Sequence, residues 1–366
     1  MSRIDRRKFL ELSSASVLLA GSLNSLAAES AAVKQRKVGV ALVGLGRYSE
    51  YQLAPALQLT KHCELRGVVT GTQSKIPKWQ AQYGIKDSNV YNYSNMHEIA
   101  DNDDIDVVYI VLPTSMHRQY TEIGANAGKH VWCEKPMAMT AVDCQAMIDV
   151  CAKNKVQLTI GYRLHHEPNT QSVIEYARTK PYGEIKEVIA RAGYKGGEPA
   201  TDDWRINSKM GGGAAYDMGV YPLNAARYTT GEEPIAVSAE HKVYRPETFK
   251  DVDEATFFTL EFASGAIANC ATSVYEDMNH LRAECERGWY ELQPFQSYNG
   301  VNGQTSDGIK LNQGIENQQA AQMDNDALSI INNTPVRVPG QIGLNDIKVI
   351  EAIFESARNG GTRVVI

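Results

Sequence analysis

Lys37-Val38-Gly39-Val40-Ala41-Leu42-Val43-Gly44-Leu45-Gly46-Arg47-Tyr48-Ser49 is an apolar, β-branched run that passes directly into a glycine turn. The run has the length and composition of a strand buried on both faces, as in a parallel sheet. In the turn, Gly44 permits the tight bend, and Gly46 lets backbone N–H groups approach a pyrophosphate at the N-terminus of the following helix. The third small position, usually Gly or Ala, is Ser49, which is still small enough for helix and strand to approach. Placed after a strand and before a helical stretch, the motif predicts a dinucleotide-binding βαβ unit.

Working outward, strand and helix patterns alternate from residue 37 to residue 161. The strands are expected at 38–43, 65–70, 106–112, 130–133 and 156–160, with amphipathic stretches such as 115–127 and 141–154 between them. This is the pattern of an α/β N-terminal domain, a doubly wound parallel sheet of the Rossmann type. Beyond Gly161 the rhythm changes. A helix near 169–179 precedes longer strands at 185–192, 236–244, 255–262, 266–274 and 281–286, which read as a large, mostly antiparallel open sheet in an α+β C-terminal domain. One face of that sheet is available for a subunit contact. Gly211-Gly212-Gly213 and then 214–228 read as a loop followed by a helix, 345–358 as a last helix, and the Gly-, Asn- and Gln-rich 300–319 as a long loop. The expected organisation is therefore 37–161 for the nucleotide-binding domain and 162–366 for the substrate-binding and oligomerisation domain.

Ahead of the first strand, Asp5-Arg6-Arg7-Lys8-Phe9-Leu10 leads into an apolar, small-residue stretch, and Ser25-Leu26-Ala27 offers a small-x-small cleavage pattern. Residues 1–27 are expected to be a twin-arginine export signal and 28–36 a short arm, so the destination is the periplasm by way of the twin-arginine translocase. The apolar stretch is too short to span a bilayer, and no stable membrane association is expected after export. Loss of 1–27 removes four basic and two acidic residues and takes the formal charge from −6 to −8. Such a balance gives no support to nucleic-acid binding. The six cysteines have no C-x-x-C or metal spacing. Cys144 and Cys151 lie roughly 10 Å apart along a helix, too far to bridge, and all six are expected as thiols.

The end of the second strand reads Val69-Thr70-Gly71-Thr72-Gln73-Ser74-Lys75. An Asp or Glu there would serve the ribose 2′-hydroxyl of NAD; a hydroxyl and a lysine suit a 2′-phosphate, so the expected cofactor is NADP. The other reading of Lys75, a solvated lysine at a helix start, stays open. Glu134-Lys135-Pro136 follows the fifth strand, at the carboxyl edge where open α/β sheets bind ligands. Asp217 and Tyr221, four apart, are expected on one helix face. Removing hydride from a sugar carbon needs a base for the hydroxyl proton. Tyr221 can serve if the Lys135 ammonium stabilises its phenolate, with Asp217 accepting a sugar hydroxyl; an ordinary buried tyrosine is the alternative. His117, His165 and His166 lack carboxylate or cysteine partners at ligand spacing, and no metal is expected.

These segments together resemble the glucose-fructose oxidoreductase family, the wider group that includes inositol dehydrogenases. The matching pieces are Gly44 to Tyr48, Leu112-Pro113-Thr114-Ser115-Met116-His117, Gly128 to Pro136, Gly161-Tyr162-Arg163-Leu164-His165, Trp204-Arg205, the three glycines with Asp217 and Tyr221, and Gly231-Glu232-Glu233-Pro234. The resemblance implies a tightly held NADP that oxidises an aldose to its lactone and is reoxidised on a second sugar. Lys135 and Tyr221 are then the catalytic pair and Asp217 a substrate ligand. It further implies cofactor contacts at Gly44, Leu45, Gly46, Arg47, Tyr48, Thr70, Lys75, Tyr93, Leu112, Pro113, His117, Glu134, Lys135, Arg163, Trp204, Arg205 and Tyr298, and a homodimer or tetramer. One departure is that cleavage near Ala27 leaves about ten residues before the first strand, where the family's namesake carries a longer arm that wraps a neighbouring subunit's cofactor. Alternatives are an aldose dehydrogenase with exchangeable NADP, an exported NAD-dependent glycosidase, and a non-catalytic sugar-binding or scaffold protein.

Overall fold

The computed structural model describes residues 36–366; the signal at 1–27 and all of the arm at 28–36 except Arg36 lie outside the described residues. β1 (Val38–Val43) is buried along its whole length, as a strand covered on both faces must be. With β2 (Cys63–Val69), β3 (Val90–Tyr91), β4 (Val107–Ile110), β5 (His130–Cys133) and β6 (Leu158–Ile160) it forms a six-stranded, wholly parallel sheet in the order β3-β2-β1-β4-β5-β6. The order turns back on itself between β1 and β4, which opens a ligand crevice at their carboxyl ends. β3 was not expected: two residues are too few to carry a periodicity.

The glycine turn is followed by a π-helical segment, Ser49–Leu53, that runs into α1 (Ala54–Leu57). Gly44 has φ +98°, and a Cβ there would stand 2.4 Å from the Val111 carbonyl oxygen, so only glycine fits. Ser49, in the third place of the motif, is fully buried and donates its hydroxyl to the Gly44 carbonyl at 2.6 Å, closing the turn. α2 (Ile76–Tyr83), α3 (His117–Asn126) and α4 (Ala141–Lys153) complete this half.

After α5 (Pro168–Thr179), capped by the Glu167 carboxylate on the Thr170 N–H at 2.6 Å, a second sheet begins with β7 (Ile185–Gly193). α6 (Ala214–Asp217) and α7 (Val220–Thr230) come next. β8 (Pro234–Lys242), β9 (Ala255–Phe262), β10 (Ile267–Ser273), β11 (Met278–Cys285), β12 (Gly288–Leu292), β13 (Gly303–Thr305), β14 (Lys310–Leu311) and the C-terminal β15 (Val364–Val365) then give nine strands in the order β14-β13-β12-β11-β7-β10-β9-β8-β15. Only the central β7–β10 pair is parallel. Val188, Ala190 and Ala192 on β7 are buried on the face that α7 covers, whereas Arg191 points to the open face and is exposed.

Two expectations need correction. The stretch 300–319 is not one loop, because it holds β13 and β14 and ends in α8 (Gln318–Asn332), a helix capped by the Asn317 side chain on the Ala320 N–H at 2.8 Å. The last helix, α9 (Gly340–Arg358), starts five residues earlier than the expected 345. α8 runs back to the first sheet. Its Ala320, Met323 and Ala327 pack with Val38, Leu57, Cys63 and Leu65, and Asp324 accepts from the backbone N–H groups of Lys61 and His62 at 2.9 and 2.7 Å. Crossing over between α8 and α9, Ile160 N–H donates to the Val338 carbonyl at 3.0 Å, beside β6. All six cysteines are free thiols, five of them buried.

Because Met323 is fully buried where α8 meets the first sheet, Met323→Ala should cost about 2–5 kcal/mol of stability in urea denaturation. A loss well under about 1 kcal/mol would show that α8 is not a structural strut.

Candidate functional site

The crevice at the carboxyl edge of the parallel sheet continues into a cleft of about 1220 Å³ that reaches the segment 194–206, the α6–α7 turn and the loop around Tyr298. Ligand pockets for one small molecule run to roughly 1,000 Å³, so this cleft has room for an extended ligand with a second, small one. Of the residues expected in catalysis or at the cofactor, all but His117 line it.

At one end lie the glycine turn and the end of β2. A Cβ at Gly46 would stand in open space, so its glycine answers to no protein neighbour and leaves the backbone open to a ligand. Thr70 accepts from the Thr72 N–H at 3.1 Å, which folds the chain back after β2, and Tyr93 packs against Gly71. Lys75 donates to the Leu45 carbonyl at 2.6 Å, bringing an ammonium to the mouth of the glycine turn. Arg47 is exposed beside it in sequence, its guanidinium 5.9 Å from the Tyr51 ring centroid. The residues fit a dinucleotide: a glycine turn free of side chains, and hydroxyls and cations with no carboxylate in the turn after β2.

At the centre stand Glu134 and Lys135, delivered by β5. Glu134 is buried; its Oε1 accepts from the Tyr109 hydroxyl at 2.7 Å, and Oε2 from the Lys135 N–H at 3.3 Å. Gln322 on α8 donates to the same Tyr109 oxygen at 3.1 Å. A Cβ on Gly161 would lie 2.7 Å from Glu134 Oε1, so the carboxylate fits only beside a glycine. Burial pushes the Glu134 carboxyl above its ordinary value, and the Tyr109 hydrogen bond and the Lys135 charge offset part of that rise. The Lys135 ammonium donates to the Asp217 carbonyl at 2.8 Å and lies over the Tyr221 ring, 4.6 Å from its centroid.

Asp217 and Tyr221 are brought together, but not on one helix face as expected. α6 ends at Asp217, Met218 and Gly219 intervene, and α7 starts at Val220. Asp217 Oδ2 accepts from Arg205 Nε at 3.2 Å and from the Tyr194 hydroxyl at 3.3 Å. Arg205 therefore stands at the Asp217 end of the cleft, stacked on Trp204 at 4.6 Å. The Arg163 guanidinium carbon lies 5.6 Å from the Tyr221 ring centroid and 4.4 Å from that of Tyr298, and Tyr298 is 6.3 Å from Tyr48, centroid to centroid. Burial, and then the Glu134 charge, push the Tyr48 phenol well above its ordinary value.

His117 is the exception. It is buried behind the wall, with Nδ1 2.9 Å from the Pro136 carbonyl and Nε2 2.8 Å from that of Leu112. It braces the two turns that follow β4 and β5, and burial lowers its basicity. Residues the sequence reading passed over are Tyr194, Tyr109, Gln318, Gln319 and Gln322. The glutamines had one signal, an Asn317 cap followed by apolar residues three and seven apart, and the Gln-rich composition hid it. Among the described residues no group of His, Cys, Asp and Glu could hold a metal ion, and no helix is long and apolar enough to cross a membrane.

Comparison with known proteins matches residues 38–162 to the GFO/IDH/MocA oxidoreductase family, NAD-binding Rossmann fold, and residues 170–291 to the GFO/IDH/MocA C-terminal domain. Among solved structures, the aldose-aldose oxidoreductase of Caulobacter crescentus, complexed with glycerol, is 38% identical over 90% of this chain and 100% of that one, with a TM-score of 0.86. The D-xylose 1-dehydrogenase [NADP(+)] of Haloarcula marismortui is 29% identical over 341 residues, covering 89% of this chain and 92% of the relative. A scyllo-inositol dehydrogenase from Lactobacillus casei shares the fold at 19% identity and TM-score 0.75.

Burial raises the Glu134 carboxyl in the folded protein above its value in the unfolded chain, so native stability declines as pH rises from the unfolded value up to the folded one, and the penalty shrinks as pH falls through the folded value and is gone below the unfolded one. Glu134→Gln keeps an acceptor for Tyr109. Its thermal midpoint should equal or exceed the parent's at pH 7–8, with the advantage fading towards acid pH. A midpoint that falls at neutral pH would contradict this.

Proposed function

The chain belongs to the GFO/IDH/MocA oxidoreductase family, and we propose that it is an NADP-dependent sugar oxidoreductase that oxidises an aldose to its lactone and reduces a second sugar with the same, tightly held cofactor. The observation that carries this reading is the Lys135 ammonium 4.6 Å above the Tyr221 ring, beside Asp217 and at the carboxyl edge of β5.

The glycine turn, Thr70, Lys75 and Arg47 would hold the nucleotide, the last two by charge on phosphate. When bound, the oxidised nicotinamide supplies the acceptor for the hydride leaving the sugar carbon. Tyr221, as phenolate, takes the proton of the sugar hydroxyl. Lys135 stabilises the phenolate and is held in place by the Asp217 carbonyl. The Asp217 carboxylate, steadied by Arg205 and Tyr194 through one oxygen, orients the ring by accepting a hydroxyl. In the second half-reaction the same phenol returns its proton to the carbonyl oxygen of another sugar as that carbon receives the hydride, so protons and electrons balance over the cycle.

Export and assembly complete the reading. Arg6-Arg7 with the apolar stretch behind them support delivery to the periplasm, where a retained cofactor suits the scarcity of free nucleotide. The uncovered face of the nine-stranded sheet supports a homodimer, with a tetramer as the larger form. The similarity to a D-xylose 1-dehydrogenase favours one other reading, an aldose dehydrogenase that exchanges its NADP.

Two measurements test the proposal. Tyr221→Phe should lower turnover by at least about 10²-fold, the scale of positioned acid–base catalysis, with nucleotide binding preserved; undiminished activity would remove Tyr221 from its role. Protein purified without added nucleotide should keep nicotinamide absorbance through gel filtration and yield NADP on denaturation. Nucleotide-free protein, active only with added NADP, would favour the exchanging dehydrogenase.

A further inference from the structure

Arg163 is 2% exposed, yet among the described residues no carboxylate pairs with it. Its Nη groups donate to neutral acceptors: the Ser297 carbonyl at 3.3 Å, the Gln296 carbonyl, and the side-chain oxygen of Gln318 on α8. Nε has no partner at all. Gln318 also donates to the Ser297 carbonyl at 3.0 Å, so α8 and the 296–298 segment clamp one guanidinium between them. A buried cation whose bonded acceptors are all neutral, with the Glu134 charge acting on it only through space, is costly. Such a cost is tolerated where negative charge develops during function.

The guanidinium carbon lies 5.6 Å from the Tyr221 ring centroid and 4.4 Å from that of Tyr298. We infer that Arg163 is a positioning residue for the base: a fixed positive charge, clamped by Gln318, that stabilises the phenolate form of Tyr221 alongside Lys135. This deepens the proposed function and rests on its assignment of Tyr221 as the base. The two cations differ in kind. Lys135 lies over the ring face and spends a donor on the Asp217 carbonyl, whereas Arg163 keeps its charge at every working pH and has a donor unspent. The charged and titratable groups around Tyr221 are Lys135 and Glu134 after β5, Arg163 after β6, Tyr48 from the first helix, Asp217 from α6 and Tyr298 from the loop. The Arg163 charge works against the upward push of burial on the neighbouring phenols Tyr48 and Tyr298.

The test compares Arg163→Gln, Arg163→Lys and Tyr221→Phe. In Arg163→Gln the acidic limb of the kcat/KM–pH profile should move up by roughly one to three pH units, the effect of an opposite charge at this distance, and Arg163→Lys should recover part of it. The near-ultraviolet tyrosinate titration of the enzyme without substrate, with the same background bearing Tyr221→Phe subtracted, should move in the same direction. Nucleotide affinity, read by fluorescence titration, should change only a few-fold. An unmoved limb and tyrosinate titration, with nucleotide binding lost, would make Arg163 a cofactor contact and overturn the inference. If Arg163→Gln does not fold, Gln318→Leu loosens the same clamp and should shift the limb in the same direction; no shift there overturns the inference too. An active Tyr221→Phe would instead sink the assignment of the base itself, so the two failures are distinguishable.

Discussion

The hydrogen bond from the Tyr109 hydroxyl to Glu134 Oε1 holds the centre of the molecule together. It joins β4 to β5 inside the sheet, and through Gln322 it reaches α8, a helix more than 180 residues further along the chain. A carboxylate taken wholly out of water is stable only if its oxygens are bonded and opposite charge stands near. Both conditions are met by Tyr109, the Lys135 N–H and the cations Lys135 and Arg163. Gly161 makes the arrangement possible by leaving the carboxylate the space a side chain would fill. Lys135 is the next residue, so anything that moves Glu134 moves the ammonium that faces Tyr221.

α8 gives the cleft its rigidity. Its apolar face packs on β1, β2 and α1, while Gln318, Gln319 and Gln322 reach the Arg163 guanidinium, the Tyr48 hydroxyl and the Tyr109 hydroxyl. One helix thus holds two cleft side chains, and through Tyr109 the Glu134 carboxylate, from behind. Polar groups held before a ligand arrives need no reorganisation when charge shifts during reaction. At the far end Arg205 and Tyr194 both use Asp217 Oδ2, so the carboxylate is oriented by contacts to only one of its oxygens.

The parts of the site that were legible in the sequence are those whose chemistry is local. The glycine turn, the absence of a carboxylate after β2, the Glu134-Lys135 pair behind a strand, and Asp217 with Tyr221 could each be read within a few residues. All five expected strands of the first sheet needed only trimming or small shifts at their ends, or none, because a parallel strand covered on both faces is a continuous apolar run. Asp217 and Tyr221 share the cleft for a reason the spacing did not give, a break at Met218 and Gly219 between two helices. That the His117 ring lies behind the wall, against the Pro136 and Leu112 carbonyls, is a matter of packing and not of motif.

By itself the sequence determined the two kinds of sheet, the edge of the first at which the cleft opens, and the residue types that line it there. Only the tertiary structure decided that α8 returns to the first sheet, that Tyr109 and Gln318 support Glu134 and Arg163, and that Arg163 is a buried charge with no carboxylate partner. The physical reason is range. Strand, helix and turn preferences are set by neighbours one to four residues away, while the partner of a buried polar group is chosen by which distant segments close the core around it.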